Sequence, residues 1–316
     1  MIRDLSSGDF MRLLVVGAGS TGGYFGGRLA QAGRDVTFLV RPGRAQQLQK
    51  DGLQIVSPFG DVTLTPKLVT AGQIAGPYDA VILTVKAYSL EAALEDLAPA
   101  VGPQTMILPV LNGMRHVDSI KARFGAPSLI GGLCRIPAQL DETGRVVQMG
   151  KFHDLAYGEM DGSRSERILA LDVVLRGAGF EAKLTPEIER EMWEKWVLLA
   201  ALGGICCLMR GTVGEVAAAP GGRDFAGALV DEVVTAIRAV GKTPGEDFVA
   251  STREMLTKAG SSHTSSMYRD LQKGGAVEAD QIVGDLLRRA KQAGIAMPLL
   301  SLAYTSLCVY QNRLAG

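Results

Sequence analysis

The sequence predicts an α/β chain in two parts: an N-terminal doubly wound, mostly parallel sheet and a C-terminal all-α domain. Three observations predict it. Short apolar runs alternate with helix-like stretches up to about residue 185. The first of these runs meets a glycine loop that opens a helix. After Pro186 strand signals almost stop, and helical periodicity takes over. The length of 316 residues suits two domains of about 100–200 residues each, and the expected division is 12–185 and 186–316.

The elements follow in order. Leu13–Val16 is the first strand, Gly22–Ala32 the first helix and Asp35–Val40 the second strand, which together have the size of a βαβ unit. Ala80–Val85, Thr105–Leu111 and Ser128–Leu133 are further apolar strands of a sheet covered on both faces. Residues 145–158 are expected to form a short antiparallel pair, with one more strand at Gly179–Leu184. The clearest helices of the second part are Ile188–Leu202, Phe225–Val240, Asp247–Leu256 and Ala279–Ala293. The serine-rich piece Ser261–Ser266 is a loop or a helix cap, with Ser266 able to cap.

Composition narrows the function classes. Hydrophobic residues make up 47% of the chain and charged residues 21%, enough apolar surface to exclude disorder throughout. Thirty-three basic residues balance thirty-three acidic ones, without the basic excess that nucleic-acid phosphates demand, so no nucleic-acid partner is expected. The three histidines and four cysteines fall in no metal-binding spacing, and no metal is expected. The first ten residues lack the apolar core of a secretory signal. The longest apolar run, Val197–Met209, is shorter than the roughly 20 residues that cross a bilayer and reads as a core helix. The expectation is a cytoplasmic protein with no membrane partner.

Gly17-Ala18-Gly19-Ser20-Thr21-Gly22 is a GxGxxG loop in the context that motif requires, after a strand and before a helix. The first glycine permits the tight turn, the second lets the backbone approach a pyrophosphate, and the third lets helix and strand pack closely, which makes the domain Rossmann-type. The helix N-terminus offers free N–H groups to the phosphates, Ser20 and Thr21 among them. At the end of the second strand, NAD enzymes place an acid for the ribose hydroxyls. Here the residues are Leu39-Val40-Arg41-Pro42-Gly43-Arg44. Arg41 suits a 2′-phosphate, which favours NADP, and Arg44 either helps or faces solvent.

On a helix from Glu187 to Leu202, Lys195 falls in the middle of an apolar arc formed by Ile188, Met192, Leu199 and Leu202. A lysine there snorkels, finds a partner or lines a cleft. In the last case its ammonium can protonate the alkoxide that hydride addition to a ketone creates. Asn112 and Lys86 each follow a strand, in the loops where ligands bind such sheets. Asn112 either holds a nicotinamide or substrate oxygen or is a plain Asn-Gly turn, and Lys86 either binds or is solvated. Ser266 and Glu278 carry little signal when read singly.

Together these residues resemble the ketopantoate reductase (2-dehydropantoate 2-reductase) family, from about Leu13 to near the C-terminus. The marks are GAGSTGGYFGGRLA at the start, Val-Lys-Ala-Tyr at 85–88, Asn-Gly-Met at 112–114, AQLDETGRV at 138–146 and EMWEKW at 191–196. Ser266-Met267 follows, with Glu278 twelve residues after the serine, and AGIAMP closes the series at 293–298. The resemblance implies a Rossmann domain, a helical domain and a cleft between them. It also implies NADPH as cofactor, a small 2-keto acid as partner and reduction of 2-dehydropantoate to pantoate for pantothenate synthesis. By motif position Lys195 matches the general acid and Glu278 its glutamate partner. Ser266 matches the serine that holds the substrate carboxylate, and Asn112 the asparagine at the nicotinamide and substrate end. Arg41 and Lys86 match cofactor positions, and a homodimer is expected.

The departures concern the substrate. Typical members carry asparagines four and eight residues after the lysine, where this chain has Leu199 and Gly203. Leu299-Leu300 stand where many members have a polar residue after the proline. The expected pocket is more apolar, and roomier beside Gly203. The alternative substrate is then a bulkier or more apolar 2-keto or 2-hydroxy acid, and a third reading is an NADP-binding protein without catalysis.

Overall fold

The computed structural model describes residues 11–315. The chain forms two compact units: the chain up to Leu111 with His116–Ile188, and Asn112–Arg115 with the chain from Glu189 onward.

The first unit is built on a five-stranded sheet of β1 (Leu13–Val16), β2 (Val36–Leu39), β5 (Lys67–Val69), β6 (Ala80–Leu83) and β7 (Met106–Pro109). All its pairings are parallel, in the order β5-β2-β1-β6-β7. Residues of β1, β6 and β7 are buried throughout, which is why these strands read as unbroken apolar runs rather than alternating ones. The helices between them are α1 (Ser20–Gln31), α2 (Pro42–Asp51) and α3 (Leu90–Leu97), and α4 (Arg115–Phe124) follows β7.

Two smaller sheets complete this unit. One joins β3 (Leu53–Val56), β4 (Val62–Leu64), β9 (Ala138–Leu140) and β10 (Val146–Gln148) in the order β4-β3-β10-β9. The other joins β8 (Gly131–Arg135), β11 (Asp154–Gly158) and β12 (Glu181–Leu184) in the order β12-β11-β8. The antiparallel pair expected at 145–158 does not form. β10 runs antiparallel to β9, and β11 antiparallel to β8 in a different sheet. Gln148 explains the separation, since its Nε2 donates to the Gly150 and Phe152 carbonyls at 2.5 and 3.1 Å and ties the connection into a loop. The strand expected from Ser128 begins only at Gly131, because Ala126–Ser128 forms a 3-10 turn on Pro127.

α1 packs against two of these sheets. A Cβ on Gly26 would lie 2.6 Å from the Phe38 ring, and those on Gly23 and Gly27 2.7 Å from Val146 and Ile55. The small face of the helix is therefore a packing surface. Around it Tyr24, Phe25, Phe38, Leu53 and Tyr157 form the buried core, each large side chain contributing about 1.5–3 kcal/mol by its burial. Helix α5 (Glu166–Leu175) covers the third sheet and is capped by Ser165, whose side chain accepts from the Ile168 N–H.

The second unit is helical. It contains α6 (Ile188–Met209), α7 (Val213–Ala218), α8 (Gly222–Val240), α9 (Glu246–Leu256), α10 (Ser266–Gln272), α11 (Asp285–Gln292) and α12 (Pro298–Ala315). The helix expected over Ala279–Ala293 opens with a π-helical turn at Asp280–Gly284. α10 is capped by Ser265, whose hydroxyl accepts from the Tyr268 N–H at 2.9 Å. Ser266, expected to be able to cap, is instead the first helical residue. Leu299 and Leu300 lie in the first turn of α12, where both backbone N–H groups donate to Glu232, at 3.1 and 2.8 Å. Among the described residues one helix, α6, is long and apolar enough to cross a membrane by length and composition. Of its most apolar stretch 67% is buried inside the protein.

Candidate active site

In the first unit the carboxyl ends of three adjacent strands carry the expected cofactor residues. The strand order reverses direction beside β1, the place where open α/β sheets form their ligand crevice. β1 runs into Gly17, which turns at φ +95°. The Thr84 hydroxyl donates to the carbonyls of Val16 and Gly17, at 2.8 and 3.0 Å, and pins the turn. A Cβ on Gly22 would collide with the Gly17 carbonyl and the Thr84 hydroxyl, so only glycine fits the helix that close to the strand. Gly19, by contrast, would project a Cβ into open space. α1 starts there with no side-chain cap and no acid in its first turn, and Ser20 and Thr21 are half-buried. Its first N–H groups remain available to an anion.

Arg41 stands two residues past β2, exposed just before α2, and donates to the Ser89 hydroxyl at 3.0 Å. Ser89 belongs to the turn that follows Lys86 at the end of β6, and Lys86 is also exposed. The two cations therefore stand just past the strands on either side of β1. Arg44 is half-buried, and its guanidinium is turned toward the glycine loop. Its Nε and Nη2 donate to the Ala18 carbonyl at 3.1 and 2.9 Å, and its Nη1 to the Gly144 carbonyl at 2.9 Å. Burial lowers its pKa. Arg44 braces the inside of the glycine loop.

In the second unit Asn112 and Glu278 come together. Asn112 donates from Nδ2 to Glu278 Oε2 at 3.3 Å, and its backbone carbonyl accepts from Gln281 Nε2 at 3.0 Å. Glu278 is only 8% exposed and stands just before the π-helical turn. Asp280, in that turn, accepts from Arg288 and Tyr304 and pairs with Arg115 at 2.9 Å. The Arg288 bond, with Tyr304 and the nearby arginine charges, holds its carboxyl below the usual range.

Lys195 is half-buried on α6. The arc expected around it is not uniformly buried. Ile188, Met192 and Leu202 are enclosed, while Leu199 shares the half-buried strip with the lysine. The next residue, Trp196, is fully buried, and its indole N–H donates to the Ile282 carbonyl at 2.8 Å. Ile282 in turn donates its N–H to the Glu278 carbonyl at 3.0 Å. The lysine helix is thus tied to the glutamate turn through buried hydrogen bonds.

Ser266 is half-buried at the start of α10. Its neighbour Met267 is buried against α6: a Cβ on Gly203 would lie 2.6 Å from the Met267 methyl. The expected room beside Gly203 is therefore filled. Gln281 is absent from the sequence reading, and Met267 and Trp196 enter it only as letters of family motifs, without a role. Each acts through a partner distant in the chain, and no local spacing announces it.

Two family models cover most of the chain: ketopantoate reductase PanE/ApbA over residues 13–162, and its C-terminal counterpart over residues 187–311. The chain belongs to the ketopantoate reductase family. Over 301 residues this ketopantoate reductase family member is 38% identical to the uncharacterized oxidoreductase YkpB of Bacillus subtilis, covering 95% of this chain and 99% of that one. The crystal structure of a 2-dehydropantoate 2-reductase from Geobacter metallireducens superposes with a TM-score of 0.83 at 29% identity, over 94% of this chain and 98% of that one. The ternary structure of a D-mandelate dehydrogenase with NADH and anilino(oxo)acetate shares the fold, with a TM-score of 0.84 at 24% identity over 97% and 100% of the two chains. As a member of this family, the chain is an oxidoreductase.

Proposed function

We propose that this oxidoreductase reduces a 2-keto acid to a 2-hydroxy acid with NADPH, that 2-dehydropantoate is the substrate, and that Lys195 is the general acid. The observation that carries the reading is the hydrogen-bonded network Asn112–Glu278–Ile282–Trp196, buried at its tryptophan end. It ties a carboxylate and an amide to the helix that presents Lys195. The name of the 2-dehydropantoate 2-reductase from Geobacter metallireducens, alike over nearly its whole length, supports the substrate.

The residues present fit the cofactor. The uncapped N-terminus of α1 and the open side of Gly19 suit a pyrophosphate. The absence of an acid after β2, with Arg41 exposed there and Lys86 just past β6, suits a 2′-phosphate. The chemistry that NADPH supplies when bound is a hydride for C2. The chain's own residues manage the proton and the substrate's position. Lys195 gives one proton to the carbonyl oxygen and recovers it from water. Glu278, fixed by Asn112 and its own carbonyl bond, orients the ammonium and the reacting oxygen. Ser266 holds the carboxylate.

The test follows NADPH absorbance with 2-dehydropantoate, for the native protein and for Lys195→Ala. The variant is expected to lose about 10²–10⁴-fold in kcat, with NADPH affinity unchanged. Equal turnover in the variant rejects the lysine as acid. Tight NADPH binding with no 2-keto acid consumed supports the non-catalytic reading instead.

A further inference from the structure

We infer that Arg44 and the β9–β10 turn, residues 141–145, position the phosphate loop of the cofactor site. Together they hold the Ala18–Gly19 peptide so that its N–H side faces the pyrophosphate. The inference rests on the cofactor part of the reductase reading and adds a remote element that sets affinity.

Arg44 lies in the first turn of α2. Its Nε and Nη2 both donate to the Ala18 carbonyl, at 3.1 and 2.9 Å, so the guanidinium grips that oxygen as a fork. A peptide unit is planar and trans, so its carbonyl and its N–H point in opposite directions. Fixing the Ala18 carbonyl toward α2 therefore fixes the Gly19 N–H away from α2. Gly19 is also where the loop is open, since a Cβ there would meet nothing. A carbonyl gripped by a cation makes its peptide N–H a better donor, because linked hydrogen bonds polarise one another. The other partners of Arg44 are neutral: the Gln47 side-chain oxygen at 2.7 Å and the Gly144 carbonyl at 2.9 Å. Among the described residues no carboxylate pairs with it, and its charge stays available to an anion bound at the loop.

The turn supplies the far anchor. Asp141 Oδ1 accepts from the Thr143 and Arg145 N–H groups, at 3.0 and 2.9 Å, and closes the turn on itself. Gln47 Nε2 donates to the Thr143 carbonyl at 2.6 Å, beside the Arg44 bond to Gly144. Gly144 turns at φ +82°, and a Cβ there would stand 2.7 Å from Arg44 Nη1 and closer still to the Gln47 amide. Only glycine lets the turn receive both side chains. β10, which leaves the turn, packs Val146 against Gly23 of α1. The hairpin therefore meets the glycine loop through Arg44 and its helix through Val146.

The test titrates the full chain with NADPH, NADH and adenosine 2′-monophosphate, which carries the 2′-phosphate but no pyrophosphate. Dissociation constants are read by calorimetry, with the melting temperature recorded beside them. Arg44→Met keeps the stem and removes the fork. It is expected to weaken NADPH and NADH by the same factor, about tenfold, and to leave the monophosphate unaffected. Arg44→Lys keeps the charge without the fork and is expected to recover part of the loss. Gly144→Ala, a hundred residues from Arg44 in sequence, is expected to weaken both dinucleotides equally, by several-fold. A fall in the preference for NADPH over NADH in Arg44→Met, or an equal loss for the monophosphate, would make Arg44 a 2′-phosphate cation and overturn the inference. Unchanged affinity for both dinucleotides, at whatever melting temperature, also overturns it, by reducing the fork to packing. A native chain that binds neither dinucleotide removes the cofactor reading, and the inference with it. Should Arg44→Met fail to fold, Arg44→Lys and Gly144→Ala carry the test, with the same equal loss expected.

Discussion

The indole of Trp196 and the carbonyl of Ile282 share a fully buried hydrogen bond of 2.8 Å, one residue after Lys195 and four residues after Glu278. A π-helical turn shifts the hydrogen-bond ladder by one residue, and such turns leave backbone groups seeking outside partners. Trp196 supplies one. The bond sets the spacing between the helix that carries the lysine and the turn that follows the glutamate.

Trp196→Phe keeps most of the volume and removes the donor. The expected loss is about 1–2 kcal/mol of stability, since a buried carbonyl is left without its partner. The chain has two tryptophans, Trp193 and Trp196, both in the second unit. In urea unfolding, the fluorescence of the remaining Trp193 reports that unit alone. A positioning role also predicts a lower kcat with KM nearly unchanged. Equal loss in kcat and KM, or no kinetic change at all, would reduce Trp196 to a packing residue.

The glycine loop makes opposite predictions for two of its members. Gly22→Ala places a methyl against the Gly17 carbonyl and the Thr84 hydroxyl. The expected cost is about 3 kcal/mol or more, because backbone must move to admit it. Gly19→Ala meets open space at an ordinary backbone angle, φ −81°. It is expected to leave thermal stability within about 1 kcal/mol while weakening NADPH binding, read by titration of cofactor fluorescence. A Gly19→Ala protein that binds NADPH normally would contradict a phosphate site there.

That contrast shows what was legible beforehand. The GxGxxG spacing acts within one turn, so its consequences follow from neighbouring residues alone. The apolar runs of β1, β6 and β7 were legible for the same reason, because burial on both faces leaves a continuous signal. Strand partners were not. Val146 and Leu155 look alike in sequence, yet they pair in different sheets, since pairing depends on a loop tied by Gln148. From its place after Arg41, Arg44 could be read either as a second phosphate cation or as a solvated side chain. Its role as a brace depends on Ala18 and Gly144, which lie 26 and 100 residues away. The filling of the space at Gly203 by Met267 is of the same kind: an absence in one helix completed by a side chain from another.

Arg41 is expected to distinguish the two nicotinamide cofactors. In Arg41→Ala the exposed guanidinium is lost, and Ser89 is left to solvent. A charge-assisted bond to phosphate is worth about 1.5–3 kcal/mol. The preference for NADPH over NADH, measured as the ratio of dissociation constants, is expected to fall by about tenfold or more. A ratio unchanged in the variant would move the 2′-phosphate elsewhere.

Acid sensitivity in the first unit is expected to trace to Glu159. Its carboxylate is 6% exposed and accepts from Arg167 Nε and Nη2, both at 2.7 Å, and from the Ser165 hydroxyl at 2.6 Å. Burial by itself raises its pKa, but the bonds from Arg167 and Ser165 outweigh it and leave the pKa lowered. The unfolded chain therefore binds a proton more readily at this site than the folded one. The stabilisation is complete above the unfolded carboxylate pKa, about 4.3. It is lost as pH falls through the lower folded value. Glu159→Gln removes the charge and leaves Arg167 partly buried, at an expected cost of about 2 kcal/mol at pH 7. That is less than for a fully enclosed pair, since Arg167 is 31% exposed. Circular dichroism melts from pH 7 to pH 3 should show the native protein losing this advantage, so that the two curves converge in acid. A gap that stays constant over that range would show that Glu159 is already protonated in the folded protein or that its ion pair contributes nothing.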